Sequence, residues 1–202
     1  MMGRVKNLAS LMRMRKEQGD EKLVLMLGAG ASLSSGVPST NTIMTELLAA
    51  NDNDNTGGDI AQRFDQLWKR TPDATRRGFL TPYLERGATP SVGYQKLSEL
   101  IKAGYFDVIL SFNFDQLLDR ALQKAGVEYA RVIRGETIEG KMQQLVAART
   151  PRCKLVKPHG SLNSVDNYLF DAAEMLRYPE PIEALVREVT SRDIVIWPES
   201  ST

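Results

Sequence analysis

Two segments of the chain carry apolar residues without polar alternation: Lys22-Leu-Val-Leu-Met-Leu27 and Asp107-Val-Ile-Leu-Ser-Phe112. A strand with one wet face alternates. Unbroken runs suit strands buried on both faces, which means a parallel sheet covered by helices. Shorter strands are expected at 129–133 and 153–157, and another over Asp193–Trp197. Between these runs the apolar spacing turns helical. Residues 5–17 set Leu8, Leu11 and Met12 on one side and Arg13, Arg15 and Lys16 largely on another, which predicts a surface docking helix ended by Gly19. From 60 to 104 the pattern is helical, with Phe64, Leu67 and Trp68 on one apolar face, Tyr94, Leu97, Leu100 and Ile101 on another, and breaks at Pro72 and Pro90. Leu117, Leu118, Ala121 and Leu122 predict a helix closed by Gly126, and further helices are expected at about 137–149 and 181–191. Strand and helix alternate without an internal repeat, so the expected class is α/β with a mostly parallel sheet.

Composition narrows the function. The chain has 202 residues, 42% hydrophobic and 25% charged, with 15 Gly and 9 Pro, as in a globular protein of one domain or at most two. Lys and Arg total 26 against 25 acidic residues, so the charge balance gives no reason to expect nucleic acid. Cys153 is the one cysteine, which excludes an intramolecular disulfide and a multi-cysteine zinc site built from this chain alone. No apolar run approaches the ~18 residues of a membrane span, and the N-terminus lacks a signal-peptide apolar core. A reducing, cytoplasmic setting is therefore expected, with no membrane partner. The polar stretch Asn51–Asp59 imitates a calcium loop through Asp52, Asp54 and Gly57, but Arg63 stands where the bidentate glutamate is needed, so a solvated loop is expected. Trp68, Trp197 and the eight methionines read as core, and Arg76, Arg77, Arg131 and Arg134 as solvated surface.

Three expected strands end directly in small or polar residues, and ligands of open α/β sheets bind just beyond the carboxyl ends of strands. After the first comes Gly28-Ala-Gly-Ala-Ser-Leu-Ser-Ser-Gly36-Val-Pro-Ser39. Gly28 and Gly30 permit a tight turn and close backbone approach to a ligand, and the amides that follow suit a phosphate at a helix N-terminus. Leu33 occupies the place of the third glycine of a dinucleotide fingerprint, and the Gly-Lys-Ser/Thr ending of a P-loop is absent. A structural turn and a phosphate site both satisfy this segment. After the second strand, Asn113 and Asp115 stand two apart, projecting toward a cleft or, for Asp115, capping the next helix. After the fourth, Lys157-Pro-His159-Gly160-Ser161 carries the single histidine, either a structural residue or a proton acceptor near neutral pH.

Gly-Ala-Gly-Ala-Ser with Gly-Val-Pro-Ser, then Asn-Phe-Asp, then His-Gly-Ser, in this order, resembles the sirtuin family, and most nearly its zinc-free branch, over residues 21–163. The resemblance implies a single Rossmann-like, NAD-binding domain over 1–202, with helices on both faces of the sheet and a helical insertion at 51–104. It implies cleavage of the nicotinamide–ribose bond of NAD, the substrate, and many zinc-free relatives degrade NAD in prokaryotic anti-phage defence. Carried over by motif, Gly28, Ala29, Gly30, Ala31 and Ser32 would line the pyrophosphate and ribose, and Pro38 would shape the nicotinamide pocket. Asn113 would hold the ribose and the attacking water, Asp115 the carboxamide, and His159 would be the general base, with Gly160 and Ser161 beside it. Relatives of this kind are often fused or partnered to a sensor and commonly assemble, so a sensor partner and a homo-oligomer are among the expectations.

Glycosidic cleavage here builds an oxocarbenium-like ribose and breaks the bond to a nicotinamide that is already cationic in NAD and so leaves without a general acid; one base, one orienting amide and no metal suffice. Two departures from the family matter. The cysteine pairs of the zinc-bearing deacylases are missing, which disfavours removal of acyl groups from lysine. The family's later strand and its Gly-Ser-type loop are also not found: either Ser200 and Ser201 begin that loop in a truncated chain, or another polypeptide completes the sheet. The alternatives to an NAD glycohydrolase are a sensor holding NAD or ADP-ribose without turnover, a protein deacylase or ADP-ribosyltransferase, and a catalytically silent scaffold.

Overall fold

Among the described residues the strands pair only in parallel, as unbroken apolar runs suggest. The computed structural model describes residues 2–19, 21–51, 58–85, 87–164 and 178–197. Among these, five strands form one sheet: β1 (Leu23–Leu27), β2 (Phe106–Ser111), β3 (Tyr129–Ile133), β4 (Cys153–Lys157) and β5 (Ile194–Trp197), in the order β3-β4-β2-β1-β5. Helix α1 (Met2–Gln18) precedes β1. Helices α2 (Gly30–Leu33), α3 (Thr40–Asn51), α4 (Ile60–Arg70), α5 (Asp73–Leu84) and α6 (Val92–Lys102) connect β1 to β2. Helix α7 (Leu117–Ala125) joins β2 to β3, α8 (Met142–Ala147) joins β3 to β4, and α9 (Glu180–Thr190) lies between β4 and β5.

The direction in which the chain steps decides which face each helix covers. A right-handed crossover puts its helix on one face when the chain steps one way along the sheet and on the other when it steps back. From β1 through β2 to β3 the chain steps one way, and α3 to α7 cover that face: Leu25, Leu27, Ile109 and Leu155 pack there with Leu47, Trp68, Ile101 and Leu122. From β3 through β4 to β5 it steps back, and Val24, Val108, Leu110 and Val156 pack with Met142 of α8 and Ile182, Leu185 and Val189 of α9. Successive strand residues thus feed opposite cores, which is why the runs do not alternate. Each fully buried Leu, Ile or Val stabilises by about 1.5–3 kcal/mol.

Local signals end the helices. Asp59 accepts from the Gln62 amide at 2.8 Å to start α4, and Ser91 accepts from Tyr94 at 3.4 Å to start α6. Gly126 closes α7 in the left-handed region at φ +66°, where a side chain is disfavoured.

Several expectations need correction. Trp197 is 37% exposed rather than core, because β5 lies at the sheet edge, where its ring rests against Gly93. Met14 and Leu100 are exposed. Helix α1 docks through only part of its predicted face. Leu8 and Leu11 remain exposed while Met12 packs on the core, and α1 is held by Lys16 over the Tyr105 ring at 4.7 Å and by the Arg15–Asp193 ion pair. The helix expected at 137–149 is a 3₁₀ turn, Glu139–Lys141, followed by the six residues of α8. The calcium-like positions Asp52, Asp54 and Gly57, and Ser200 and Ser201, lie outside the described residues. Among the described residues, no helix is long and apolar enough to cross a membrane.

Candidate functional site

The connections leaving β1 and β2 run to one face of the sheet, and those leaving β3 and β4 run to the other. Because β2 and β4 are neighbours, a crevice opens between their carboxyl ends, the place where open α/β sheets take ligands. A cleft of about 280 Å³ lies there, lined by Ala29, Ser32 and Pro38 from beyond β1, by Phe112, Asn113, Phe114 and Asp115 from beyond β2, and by His159 from beyond β4. Ile43, Met44 and Leu84 close its apolar wall. Of the residues singled out from sequence, Gly28, Gly30, Ala31, Gly160 and Ser161 do not line it. The side chain of Ala31 is buried in the core under α3 to α7. Neither Gly28 nor Gly30 has a positive φ; Gly160 does, at +90°, and its amide returns to the Lys157 carbonyl at 3.1 Å, which turns the chain just after His159.

The β1 and β2 tips are joined by buried polar groups. The Asn113 Nδ2 donates to the Gly28 carbonyl at 3.0 Å and to Ser32 Oγ at 3.1 Å. The Ser32 hydroxyl in turn donates to Asp115 Oδ2 at 2.7 Å. Asp115 Oδ1 accepts from the Leu117 amide at 2.9 Å, so the same carboxylate holds the first amide of α7, one residue before the cap position Gln116, and lines the cleft. Tyr94 reaches into this group from α6, its hydroxyl 3.0 Å from Ser32 Oγ and 3.5 Å from Asn113 Nδ2. Burial, and then the Asp115 carboxylate, push the Tyr94 phenol up, so it stays a neutral hydroxyl.

His159 is buried, its ring 4.8 Å from that of Phe112 and 6.3 Å from that of Phe114. Its Nε2 lies 2.6 Å from the Tyr178 hydroxyl. Burial, and then the Arg134 guanidinium, push the imidazole down to about 4, with a hydrogen bond to the Phe112 backbone pulling the other way. The ring is therefore neutral at pH 7 and a weaker base than a free imidazole. A neutral ring satisfies both neighbours when it donates toward the Phe112 carbonyl and accepts at Nε2 from Tyr178. Phe114 and Leu162 tie the β2 and β4 tips together through a backbone bond of 2.9 Å.

Four residues here were not given a role from sequence. Tyr94 reads as one more apolar position of a helix face, Tyr178 carries no motif, and Lys157 stands unremarked beside His159. Arg134 is partly buried beside His159 rather than solvated, and Arg131, also expected as plain surface, pairs with Asp119 at 3.1 Å and Glu136 at 3.0 Å. Arg76 likewise turns inward, donating to the Trp68 carbonyl at 2.9 Å. Among the described residues, no group of three or more His, Cys, Asp or Glu side chains is arranged to hold a metal ion.

Fold and cleft together define a parallel α/β protein with a polar switch-point site. No protein-family model matches the sequence, and no curated protein matches it either. Among solved structures, a chain described as "Sir2 bound to acetylated peptide" is similar over 78% of this chain and 45% of its own length, at 17% identity and a TM-score of 0.37. The present chain thus spans less than half of that protein.

Proposed function

We propose that the switch-point cleft binds NAD and that the protein is an NAD glycohydrolase, releasing nicotinamide and ADP-ribose. One observation carries the reading: His159, Asn113, Asp115, Ser32, Ala29 and Pro38, drawn from three separate strand ends, line the same cleft. Its volume of about 280 Å³ is at the small end for ligand pockets (~300–1,000 Å³), room for the nicotinamide-riboside half rather than the whole dinucleotide. The phosphates then lie toward the Ala29–Ser32 bend. Nicotinamide leaves as a neutral base, so the protein has to orient the ribose, admit one water and take up that water's proton. His159 is the proton acceptor, neutral at physiological pH. Asn113 orients the ribose and the water, with Asp115 holding the carboxamide end. By its resemblance to zinc-free sirtuin relatives, the activity belongs to a defence effector under the control of a sensor.

Chromatography of NAD incubated with the full-length protein tests the assignment. The expected result is nicotinamide and ADP-ribose from the wild type, with turnover reduced by at least ~100-fold in Asn113→Ala and His159→Ala. Intact NAD under every activating condition tried, or variants as fast as the wild type, refutes it.

A second reading has its own observation. Asn113 Nδ2 is engaged by Gly28 and Ser32, and His159 Nε2 by Tyr178, so both reactive side chains are satisfied within the protein. A site so closed on itself suits a sensor that holds ADP-ribose without turnover. Calorimetry showing tight ADP-ribose binding with no nicotinamide release selects this reading.

A further inference from the structure

Lys157 ends β4, and its side chain is wholly buried beneath the cleft. Its ammonium donates to the Asp115 backbone carbonyl at 2.6 Å, and its nearest carboxylate oxygen, Asp119 Oδ2 of α7, is 4.0 Å away. Burial pushes the amine down, while Asp119 and Asp115 favour its charge. Burying an ammonium costs several kcal/mol, and a hydrocarbon side chain of the same length would fill the space without that cost. Fold stability therefore does not explain a lysine here; its location does.

The bond crosses the crevice between β4 and β2. His159 is two residues beyond Lys157 on one side, and Asn113 is two residues before Asp115 on the other. We propose that Lys157 is a positioning residue whose ammonium, bonded to the Asp115 carbonyl, sets where the Asn113–Asp115 bend stands relative to the His159 ring. A chain of polar contacts braces this tether. Asp119 accepts from the Tyr129 hydroxyl at 3.0 Å and pairs with Arg131 at 3.1 Å; Arg131 pairs with Glu136 at 3.0 Å; and Ser164 Oγ lies 3.3 Å from Glu136. Ser164 Oγ accepts from the Ser161 amide at 3.0 Å, which returns the chain to the segment holding His159. The two sides of the site are thus linked under the cleft by Lys157 and around its outside by Asp119, Arg131, Glu136 and Ser164.

The inference rests on the switch-point cleft being the working site, and its test reads that site with and without ligand. His159 is the single histidine, so its ring Cε1–H gives one unambiguous ¹H–¹³C correlation in the full chain. Lys157→Met keeps the stem and removes the ammonium. The expected result is a displaced or split His159 ring signal and at least ~10-fold weaker ADP-ribose binding by calorimetry, with cooperative melting retained. Lys154→Met is the control. Lys154 is also buried on β4, but its amine bonds to the Pro151 carbonyl at the other end of the strand, so neither readout moves. Should Lys157→Met fail to fold, Lys157→Arg keeps the charge with a different reach and is expected to displace the same ring signal. An unmoved His159 signal in a folded Lys157 variant overturns the proposal. Absence of ADP-ribose binding in the wild type defeats the NAD reading instead, and the ring signal still decides the role of Lys157.

Discussion

His159 shows how burial decides the state of a single group. Its imidazole is pushed down to about 4 in the folded protein against an ordinary 6.5, so between those pH values the unfolded chain holds a proton that the native chain does not. Stability contributed by the neutral ring is complete above pH 6.5 and falls by up to ~3 kcal/mol as pH drops toward 4. Urea unfolding at pH 7 and pH 5 is expected to show a drop of about 2 kcal/mol from this group alone, and His159→Gln is expected to flatten that part of the profile. An equal drop in the variant contradicts the assignment. At this scale the sequence was legible only where a residue type announces its chemistry. A lone histidine beyond a strand can be picked out by eye. The hydroxyl of Tyr94 cannot, because its partners Ser32 and Asn113 lie 62 and 19 residues away along the chain. Lys157 escapes notice for a similar reason: a lysine closing an apolar strand reads as its solvated end, and only the arrival of Asp115 from β2 makes it an interior group.

At the level of elements, agreement was closest where burial is two-sided. Expected strands at 129–133 and 153–157 coincide with β3 and β4, and the first strand begins at Leu23, one residue after Lys22. Helix ends marked by a cap or a glycine were also readable. The stretch at 137–149 was not, because only Met142 buries a side chain fully there and the Gly140 turn takes up its first residues. α1 misled in another way, its apolar residues forming a stripe that the fold leaves mostly in water. The Gly126 closure of α7 makes a sharp test. Gly126→Ala meets only the Lys102 amine at 3.8 Å, so any penalty comes from holding φ at +66°. A loss of about 1 kcal/mol and a melting point ~2–4 °C lower are expected, and no change by calorimetry contradicts the left-handed closure.

For the whole molecule, the order β3-β4-β2-β1-β5 was beyond reach of the sequence. Hydrophobic runs identify buried strands but carry no record of which neighbour each one meets, and here β4 inserts between β2 and the strand that follows it. The parallel class did follow from the unbroken apolar runs and the alternation of strand and helix, and helices on both faces were implied by the family resemblance. The shared sheet has a thermodynamic corollary. Ile109 and Leu110 are adjacent on β2 yet supply opposite cores. Ile109→Ala and Leu110→Ala are each expected to cost 2–5 kcal/mol, and unfolding by Trp fluorescence and by far-UV circular dichroism should retain one common midpoint. Separate midpoints would mean that the two layers melt independently.

Strand β1 sits between β2 and β5, and the latter is supplied by residues 194–197. On the ribosome, one flank of β1 therefore waits, with its amides and carbonyls unclaimed, until residues 194–197 have emerged. Such late, distant pairing slows folding and leaves a nascent edge open to capture by other chains. Synthesis of this protein is thus expected to lean on chaperones, and its yield to fall when elongation pauses before β5.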